Sequence, residues 1–471
     1  MTNIMSEKIY VDLDGTLINT DSLWESVLLL LKCKPIYLLF LPWWLCRGRA
    51  YFKHAIAQHV VPNPTILPYH QELLIYLKQQ KAAGKQLILA TAANIKIAQA
   101  IAEYLGIFDS VLASTDKQNL KSLAKLQAIQ QHSQMQNFCY VGNDKADEIV
   151  WQQATEIIQV NVKSNIRRRW RDQCDHYFER THSYWLAWLK ALRIHQWVKN
   201  ILLFVPLVAA HQFRNIELLQ ATVVGFFAFS FIASSIYIVN DLLDLEADRH
   251  HHHKKNRAFA AGMLSVKWGV VAVFPLMLAS VILTSLLPSA FAMTLIVYFV
   301  MTLSYSFYLK RCMLVDVIVL AGLYMLRILA GAMATNIVVS NWLLAFSMFL
   351  FLSLALAKRY IELKTITQEK VLTARGYQKS DSKMLAMAGF ASSYVSVMVI
   401  ALYINSEIML HVYHHPVWLW ALCPLMLFWS NRIWLLAERG IIDTDPLVFS
   451  IKDKVTYGVA FAMLCVLLLA R

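Results

Sequence analysis

Charged residues are scarce in this sequence. Of its 471 residues, 16% are Asp, Glu, Lys or Arg and 58% are apolar. A disordered chain is charge-rich and apolar-poor, which excludes that class. An ordinary soluble globule carries about 25% charged and about 45–50% apolar residues, so that class is disfavoured for the chain as a whole. Cysteine is also sparse: seven residues, an odd number, with no Cys-x-x-Cys pair. That spacing indicates neither a disulfide framework nor a zinc knuckle. An apolar leader is missing as well, because MTNIMSEKIYVDLDGT is polar and runs straight into a strand; the amino terminus is expected to stay in the cytoplasm. Acidic residues are outnumbered 30 to 44, a net charge of +14. In a membrane protein such an excess gathers in cytoplasmic loops and sets topology, so no nucleic-acid partner is expected.

The apolar residues are unevenly placed. Up to about residue 195, strand-like runs at Lys8–Val11, Gln86–Ala90, Asn137–Val141 and Ile157–Val160 alternate with helical stretches. That alternation predicts an α/β domain with a doubly wound parallel sheet. From residue 196 the pattern becomes nine long apolar segments joined by short polar loops, each about long enough to cross a bilayer as a helix. Lys and Arg concentrate in the loops after the second, fourth, sixth and eighth segments; the opposite loops hold Arg214 and little else. The basic loops and the amino-terminal domain are therefore expected on the cytoplasmic side of a bacterial-type inner membrane. The expected domains are 1–165, a basic interfacial linker over 166–195 (Arg167-Arg168-Arg169-Trp170-Arg171, then Tyr184, Trp185 and Trp188), and a membrane domain over 196–471. Ile36–Cys46 is apolar, broken by Pro42 and too short to span; it reads either as a cap touching the membrane surface or as a buried cap helix.

Two constellations carry chemistry. The first is Asp12-Leu13-Asp14-Gly15-Thr16 at the end of the first strand, the carboxyl edge where open α/β sheets place their ligands. Of two carboxylates so placed, one can attack phosphorus while the other handles protons, and their mutual repulsion calls for Mg²⁺. With Thr91, Lys121 or Lys125, and Gly142-Asn143-Asp144-Lys145-Ala146-Asp147, this set resembles the haloacid dehalogenase (HAD) superfamily of aspartyl phosphatases. The resemblance implies a Rossmann-like domain with a small helical cap. It implies Asp12 as nucleophile, Asp14 as general acid/base, Thr91 and a lysine (Lys125 preferred over Lys121) as phosphate binders, and Asp147 with Asn143 or Asp144 around Mg²⁺. The usual Gly-Asp is Gly142-Asn143 here, with Asp144 one step later.

The second constellation is SIYIVNDLLDLEADR, residues 235–249. Asn240, Asp244 and Asp248 share a helical face, with Asp241 a residue round, and stacked acids at the end of an apolar helix need a cation between them. This motif resembles the first aspartate motif of the UbiA superfamily of intramembrane prenyltransferases, an all-α fold of nine transmembrane helices. That family's second motif, DxxxD, is absent; Tyr305, Lys310, Arg311, a lone Asp316 and Arg327 stand in the corresponding region. The stretches 192–200, Asn256-Arg257 with 260–262, and 358–362 are similar to the decaprenyl-phosphate phosphoribosyltransferases, with Arg257-Ala258 where that branch has Arg-Pro. The resemblance implies metal binding by Asp241, Asp244 and Asp248. It implies substrates of polyprenyl phosphate and phosphoribosyl diphosphate (PRPP), contacted by Asn240, Lys199, Arg257, Tyr305, Lys310, Arg311, Asp316, Arg327, Lys358 and Arg359. The run His250–His253 reads as a hydrated loop, while Asp443, Thr444, Asp445 and Asp453, in the last cytoplasmic loop, could line a cap over the site but are not counted among its residues.

The expectation is thus a membrane-bound transferase moving 5-phosphoribose from PRPP to a polyprenyl phosphate, with a phosphatase domain that removes the 5-phosphate. Two alternatives remain at this point: transfer of a polyprenyl group to an aromatic or other small acceptor, and a transporter or lipid-binding regulator.

Overall fold

The computed structural model describes residues 7–179, 183–251, 254–365, 376–406, 413–442 and 445–470. His252, His253, Asp443 and Thr444 lie outside the described residues. The chain divides into two compact units: Met1–Leu192 with Tyr237–Val273, and Arg193–Ile236 with Phe274–Arg471.

The first unit is built on a parallel sheet. Its strands are β1 (Lys8–Val11), β2 (Gln86–Asn94), β3 (Ser110–Ser114), β4 (Cys139–Gly142), β5 (Glu156–Val160) and β6 (His176–Phe178), in the order β3-β2-β1-β4-β5-β6. Ile9 stands opposite Leu87 on one side and Cys139 on the other. A parallel sheet is covered on both faces, so its strands read as unbroken apolar runs. Alternate residues then feed two cores: Ile9, Val11, Leu89 and Val141 pack against Leu73, Leu77 and Ile97, while Tyr10, Ile88 and Tyr140 pack against Leu126, Ile129 and Trp151. The four expected strands are all present. The sheet nevertheless runs past the boundary expected at residue 165. The basic stretch forms a short helix, Ser164–Arg169, that crosses from β5 to β6, and Trp170 is buried against Trp151. Only after this does the helix Tyr184–Ala191 expose Trp185 and Leu186.

The segment Pro35–Cys46 is two-faced. Trp44 packs with Leu30 and Ile56, whereas Ile36, Leu39 and Trp43 are exposed, so a wholly buried cap helix is not what forms.

Residues Tyr237–Val273 belong to this same unit and are fixed to it by a buried bidentate ion pair. Arg249 Nη2 and Nη1 meet Glu25 Oε1 and Oε2 at 2.6 and 3.1 Å, and Arg249 Nε donates to the Ala260 carbonyl at 3.2 Å. Glu25 also accepts from the Thr20 hydroxyl at 2.7 Å. Gly262 has φ +70°, and a Cβ there would fall 2.7 Å from Asn19 Cβ, so the backbone can lie against Asn19 only as glycine.

The described residues hold seven helices long and apolar enough to cross a membrane: Ile216–Leu243, Val266–Thr284, Ser289–Phe307, Val315–Thr335, Asn341–Lys364, Lys379–Ile404 and Pro416–Glu438. An eighth is counted if Pro446–Lys452 and Lys454–Ala470, bent by 79°, form one span. Nine spans were expected. The difference lies at 196–213, which is broken into Ile194–Trp197, a 3₁₀ stretch Val198–Phe204, and Val205–Ala209 with Pro206 in its first turn. The chain is a multi-pass membrane protein. Within the second unit, Tyr324 and Ile328 pack with Ala357, Ile361, Ile433 and Trp434.

Two candidate active sites

Strand order reverses between β1 and β4, and their carboxyl ends open on a cavity of about 690 Å³. Asp12 comes from the end of β1. Its Oδ1 accepts from Lys125 Nζ at 2.8 Å, so Lys125 rather than Lys121 reaches it, although both line the cavity. Gly15, at φ +76°, carries the loop past Asn143, whose Nδ2 would lie 2.1 Å from any Cβ. Asp14 turns the other way and accepts from the backbone N–H and hydroxyl of Ser22 at 2.7 and 3.1 Å. Burial pushes the Asp12 carboxyl up to about 6 against the pull of Lys125, and burial with the neighbouring Asp21 pushes Asp14 up to about 7.

Asp147 Oδ1 accepts from Tyr140 Oη at 2.7 Å and lies 3.4 Å from Lys125 Nζ, while Oδ2 accepts from the backbone of Asn143 and Asp144. Four donors make it the group that holds Lys125 and the β4 loop in place. Asp144 also lines the cavity and accepts from Lys145 N. Thr91 is fully buried, with its hydroxyl accepting from Ala93 N at 3.0 Å.

Lys53 was missed by the sequence reading. It comes from the helix Arg49–His59, donates to the Ala92 carbonyl at 2.6 Å and to Asn119 at 3.0 Å, and lines the cavity. Burial holds its amine below the ordinary lysine range despite Asp14 and Asp21 nearby. Nothing local in Arg49–His59 announces that reach.

The second acid set is also in the first unit. Ile216–Leu243 ends and Leu245–His250 begins on either side of Asp244, with Asp244 N bonded to Asn240 O and Asp248 N to Asp244 O. Asp241 and Asp248, seven residues apart, are both buried and brought together. Arg257 Nη1 bridges them at 3.0 and 2.6 Å. Burial raises the Asp248 carboxyl, and Arg257 opposes the shift. Among the described residues no three Asp, Glu, His or Cys side chains converge closely enough to hold a metal by themselves. Both acid sets nevertheless offer the hard oxygen donors that suit Mg²⁺, which is commonly held by one or two carboxylates and completed by substrate phosphates.

The remaining expected residues lie in the second unit. Asp316, in the first turn of Val315–Thr335, pairs with Arg359 at 2.6 Å and accepts from Tyr377 Oη at 2.6 Å; Arg359 also reaches Tyr305 and Glu362. Lys199 and Lys358 converge on Asp445 at 2.6 and 3.2 Å, and Tyr324 donates to it at 3.1 Å. Burial pushes the Asp445 carboxyl up, but Lys358 and Lys199 override this and hold it far below the carboxylate range. The sequence reading left Asp445 out; its signal is the Asp-Pro pair, since Asp445 caps the helix Pro446–Lys452. Arg327 is buried among the rings of Phe229, Tyr298 and Tyr324, and bonds Asn200 at 3.0 Å and Tyr298 at 3.2 Å. No carboxylate lies within ion-pair distance of it among the described residues. Lys310 and Arg311 lie in the turn Leu309–Arg311.

A model of the UbiA prenyltransferase family matches residues 201–450, just over half of the chain. The chain belongs to the UbiA prenyltransferase family. The matched range contains Asp241, Asp244, Asp248, Arg257, Asp316, Arg327, Lys358, Arg359 and Asp445; the cavity around Asp12 is fed mainly from outside it. Over 95% of its length the UbiA-family chain is 38% identical to the uncharacterized protein y4nM of Sinorhizobium fredii, covering 87% of that relative. The nodulation protein NoeC of Azorhizobium caulinodans is 33% identical over 59% of this chain and 94% of its own length. The decaprenyl-phosphate phosphoribosyltransferase of Mycobacterium tuberculosis is 37% identical over 37% of this chain, and the match spans 59% of that enzyme.

Proposed function

We propose that this UbiA-family protein transfers 5-phosphoribose from PRPP to a polyprenyl phosphate and then removes the 5-phosphate in its amino-terminal domain, with both sites on the cytoplasmic side of the membrane. The observation that carries the reading is the buried Asp316–Arg359 pair. In a site for a prenyl diphosphate and a neutral acceptor, a second acid cluster would hold a second cation; here the single acid is partnered by arginine. The cations Lys199, Lys358, Arg359 and Arg327 instead suit two phosphorylated substrates at once. The similarity to phosphoribosyltransferases supports the same choice.

Asp241, Asp244 and Asp248 would hold Mg²⁺ beside Arg257, and Asp12 with Asp14 a second ion; bound there, Mg²⁺ supplies neutralisation of phosphate oxygens. In the transfer, an oxygen of the lipid phosphate bonds to C1 of ribose as the bond from C1 to the diphosphate breaks, and diphosphate leaves. Cationic side chains already in position stabilise the departing charge. In the amino-terminal cavity the Asp12 carboxylate attacks the phosphorus of the 5-phosphate, and Asp14 protonates the departing ribose oxygen. Water, giving a proton back to Asp14, then hydrolyses the aspartyl phosphate and releases inorganic phosphate.

The test is mass spectrometry of the lipids formed by purified protein with Mg²⁺, PRPP and decaprenyl phosphate. A decaprenyl-phosphoribose with equimolar diphosphate is expected, and the presence or absence of the 5-phosphate reads out the second step. Folded protein that makes no new lipid overturns the reading and leaves the aromatic prenyltransferase in its place. A transporter would release no diphosphate.

A further inference from the structure

The wall of the Asp12 cavity is not made by the amino-terminal sequence alone. Ala261, Gly262, Met263, Ser265, Lys267 and Trp268 also line it, although they lie inside the UbiA-family range. Their placement is built rather than incidental. Arg249 is locked to Glu25 and to the Ala260 carbonyl, and Gly262 seats the loop against Asn19 and Pro68. Lys267 and Trp268 open the apolar helix Val266–Thr284, one of the candidate membrane spans, and Lys and Trp are the side chains that favour the membrane interface.

The cavity's charge is unusual for a site that takes one phosphate. Six cations line it: Arg49, Lys53, Lys121, Lys125, Lys163 and Lys267. Lys125 is committed to Asp12 and Lys53 stands near Asp14, which leaves four cations, Arg49, Lys121, Lys163 and Lys267, more than one phosphomonoester needs; of these, Lys267 is the one that opens an apolar helix. The cavity edge also holds a buried acceptor, Asn161 Oδ1, that has no hydrogen-bond partner and that a ligand hydroxyl would satisfy.

We infer that the segment Ala258–Trp268 serves as a lid of the phosphatase cavity and makes it selective for a phosphomonoester carried on a membrane lipid through a second phosphate. Lys267 contacts that second phosphate and Trp268 lies along the first carbons of the lipid, while Asp12 takes the terminal phosphate. The inference rests on the phosphatase reading above and adds to it a specificity-determining residue and the wall that carries it.

The test uses the full-length protein in detergent with Mg²⁺ and three probes: p-nitrophenyl phosphate, ribose 5-phosphate, and synthetic farnesyl-phosphoryl-5-phosphoribose. Wild-type kcat/KM is expected to be at least about tenfold higher for the lipid than for ribose 5-phosphate. Lys267→Gln should lower kcat/KM for the lipid about tenfold more than for p-nitrophenyl phosphate, mostly through KM, and Lys267→Arg should restore it. Equal wild-type values for the lipid and ribose 5-phosphate overturn the inference but leave the phosphatase intact. The same holds for a Lys267→Gln loss that is uniform across all three probes. Absence of hydrolysis of every probe by folded protein overturns the phosphatase reading itself.

Discussion

At the scale of single residues, the acids of this protein are sorted by what neutralises them. Asp445 sits between Lys199 and Lys358, and the cations win over burial, so its carboxyl is depressed. The sign of the pH effect follows. A depressed carboxylate contributes its full stability above the ordinary unfolded range of about pH 4, and loses it only as pH falls through the lower folded value. Between pH 5 and 8 the thermal midpoint should therefore not respond to this group. Asp445→Asn leaves two buried ammonium groups facing a neutral amide and should cost about 3–5 kcal/mol at pH 7. Scanning fluorimetry of intrinsic tryptophan in detergent measures it, and an unchanged midpoint would count against the charge cluster. Asp445 also marks a limit of sequence reading. Three acids, Asp443, Asp445 and Asp453, stand close together in sequence, and only the fold selects the one that faces two lysines. The same is true of Lys53, whose role depends on its helix, Arg49–His59, being brought to the Ala92 carbonyl and Asn119. Asp12, Asp14 and Lys125 were legible because strand end, loop and helix start are local features; Arg257 was legible as a cation but not as the bridge between Asp241 and Asp248.

At the scale of elements, what was read correctly is what periodicity governs. The central strands are apolar on both faces and stand out as runs. β6 is three residues long with charged residues on both sides, so it carries no such signal and exists because β5 offers it an edge. The segment 196–213 is apolar enough to cross a membrane, yet apolarity does not report that its backbone changes to 3₁₀ and restarts at Val205. Two elements invite direct tests. In Pro35–Cys46 the exposed Ile36, Leu39 and Trp43 lie with Arg47 stacked on Trp43, an apolar face rimmed by cations that suits the headgroup boundary. A nitroxide at Leu39→Cys in anionic vesicles should be more accessible to oxygen than to an aqueous nickel complex, with the reverse at Gln80→Cys; equal accessibility at both sites removes the membrane role. The second is the Arg249–Glu25 pair. Either Arg249→Met or Glu25→Leu should destabilise by about 3–5 kcal/mol through the abandoned partner, and the double variant by much less. A double-mutant cycle with additive losses would mean that the pair carries no coupling.

At the scale of the whole molecule, the two chemistries proposed for this chain share no carboxylate. Asp12 and Asp14 precede the UbiA-family range, whereas Asp241, Asp244 and Asp248 lie within it. What joins the two acid sets is the stretch after Asp248: Arg257 bridges Asp241 and Asp248, and Arg249, next to Asp248, ties the same stretch to Glu25 and through it to Thr20, which lines the Asp12 cavity. Shared support with separate chemistry makes an asymmetric prediction. Asp12→Asn removes the proposed nucleophile and should cut p-nitrophenyl phosphate hydrolysis by at least about 1,000-fold. It should leave diphosphate release from PRPP at wild-type rate, so the lipid product accumulates with its 5-phosphate retained. Asp241→Asn loses one of the two anchors of Arg257 and should slow diphosphate release by about 100- to 1,000-fold, while p-nitrophenyl phosphate hydrolysis persists. Paired assays of diphosphate and phosphate on the same two preparations, with the lipid weighed by mass spectrometry, distinguish this from its rival. If Asp12→Asn yields a lipid with no 5-phosphate, the amino-terminal cavity does not act on the transferase product. If both variants lose both activities while remaining folded, the two sites operate as one, and the separation argued from their residues is wrong.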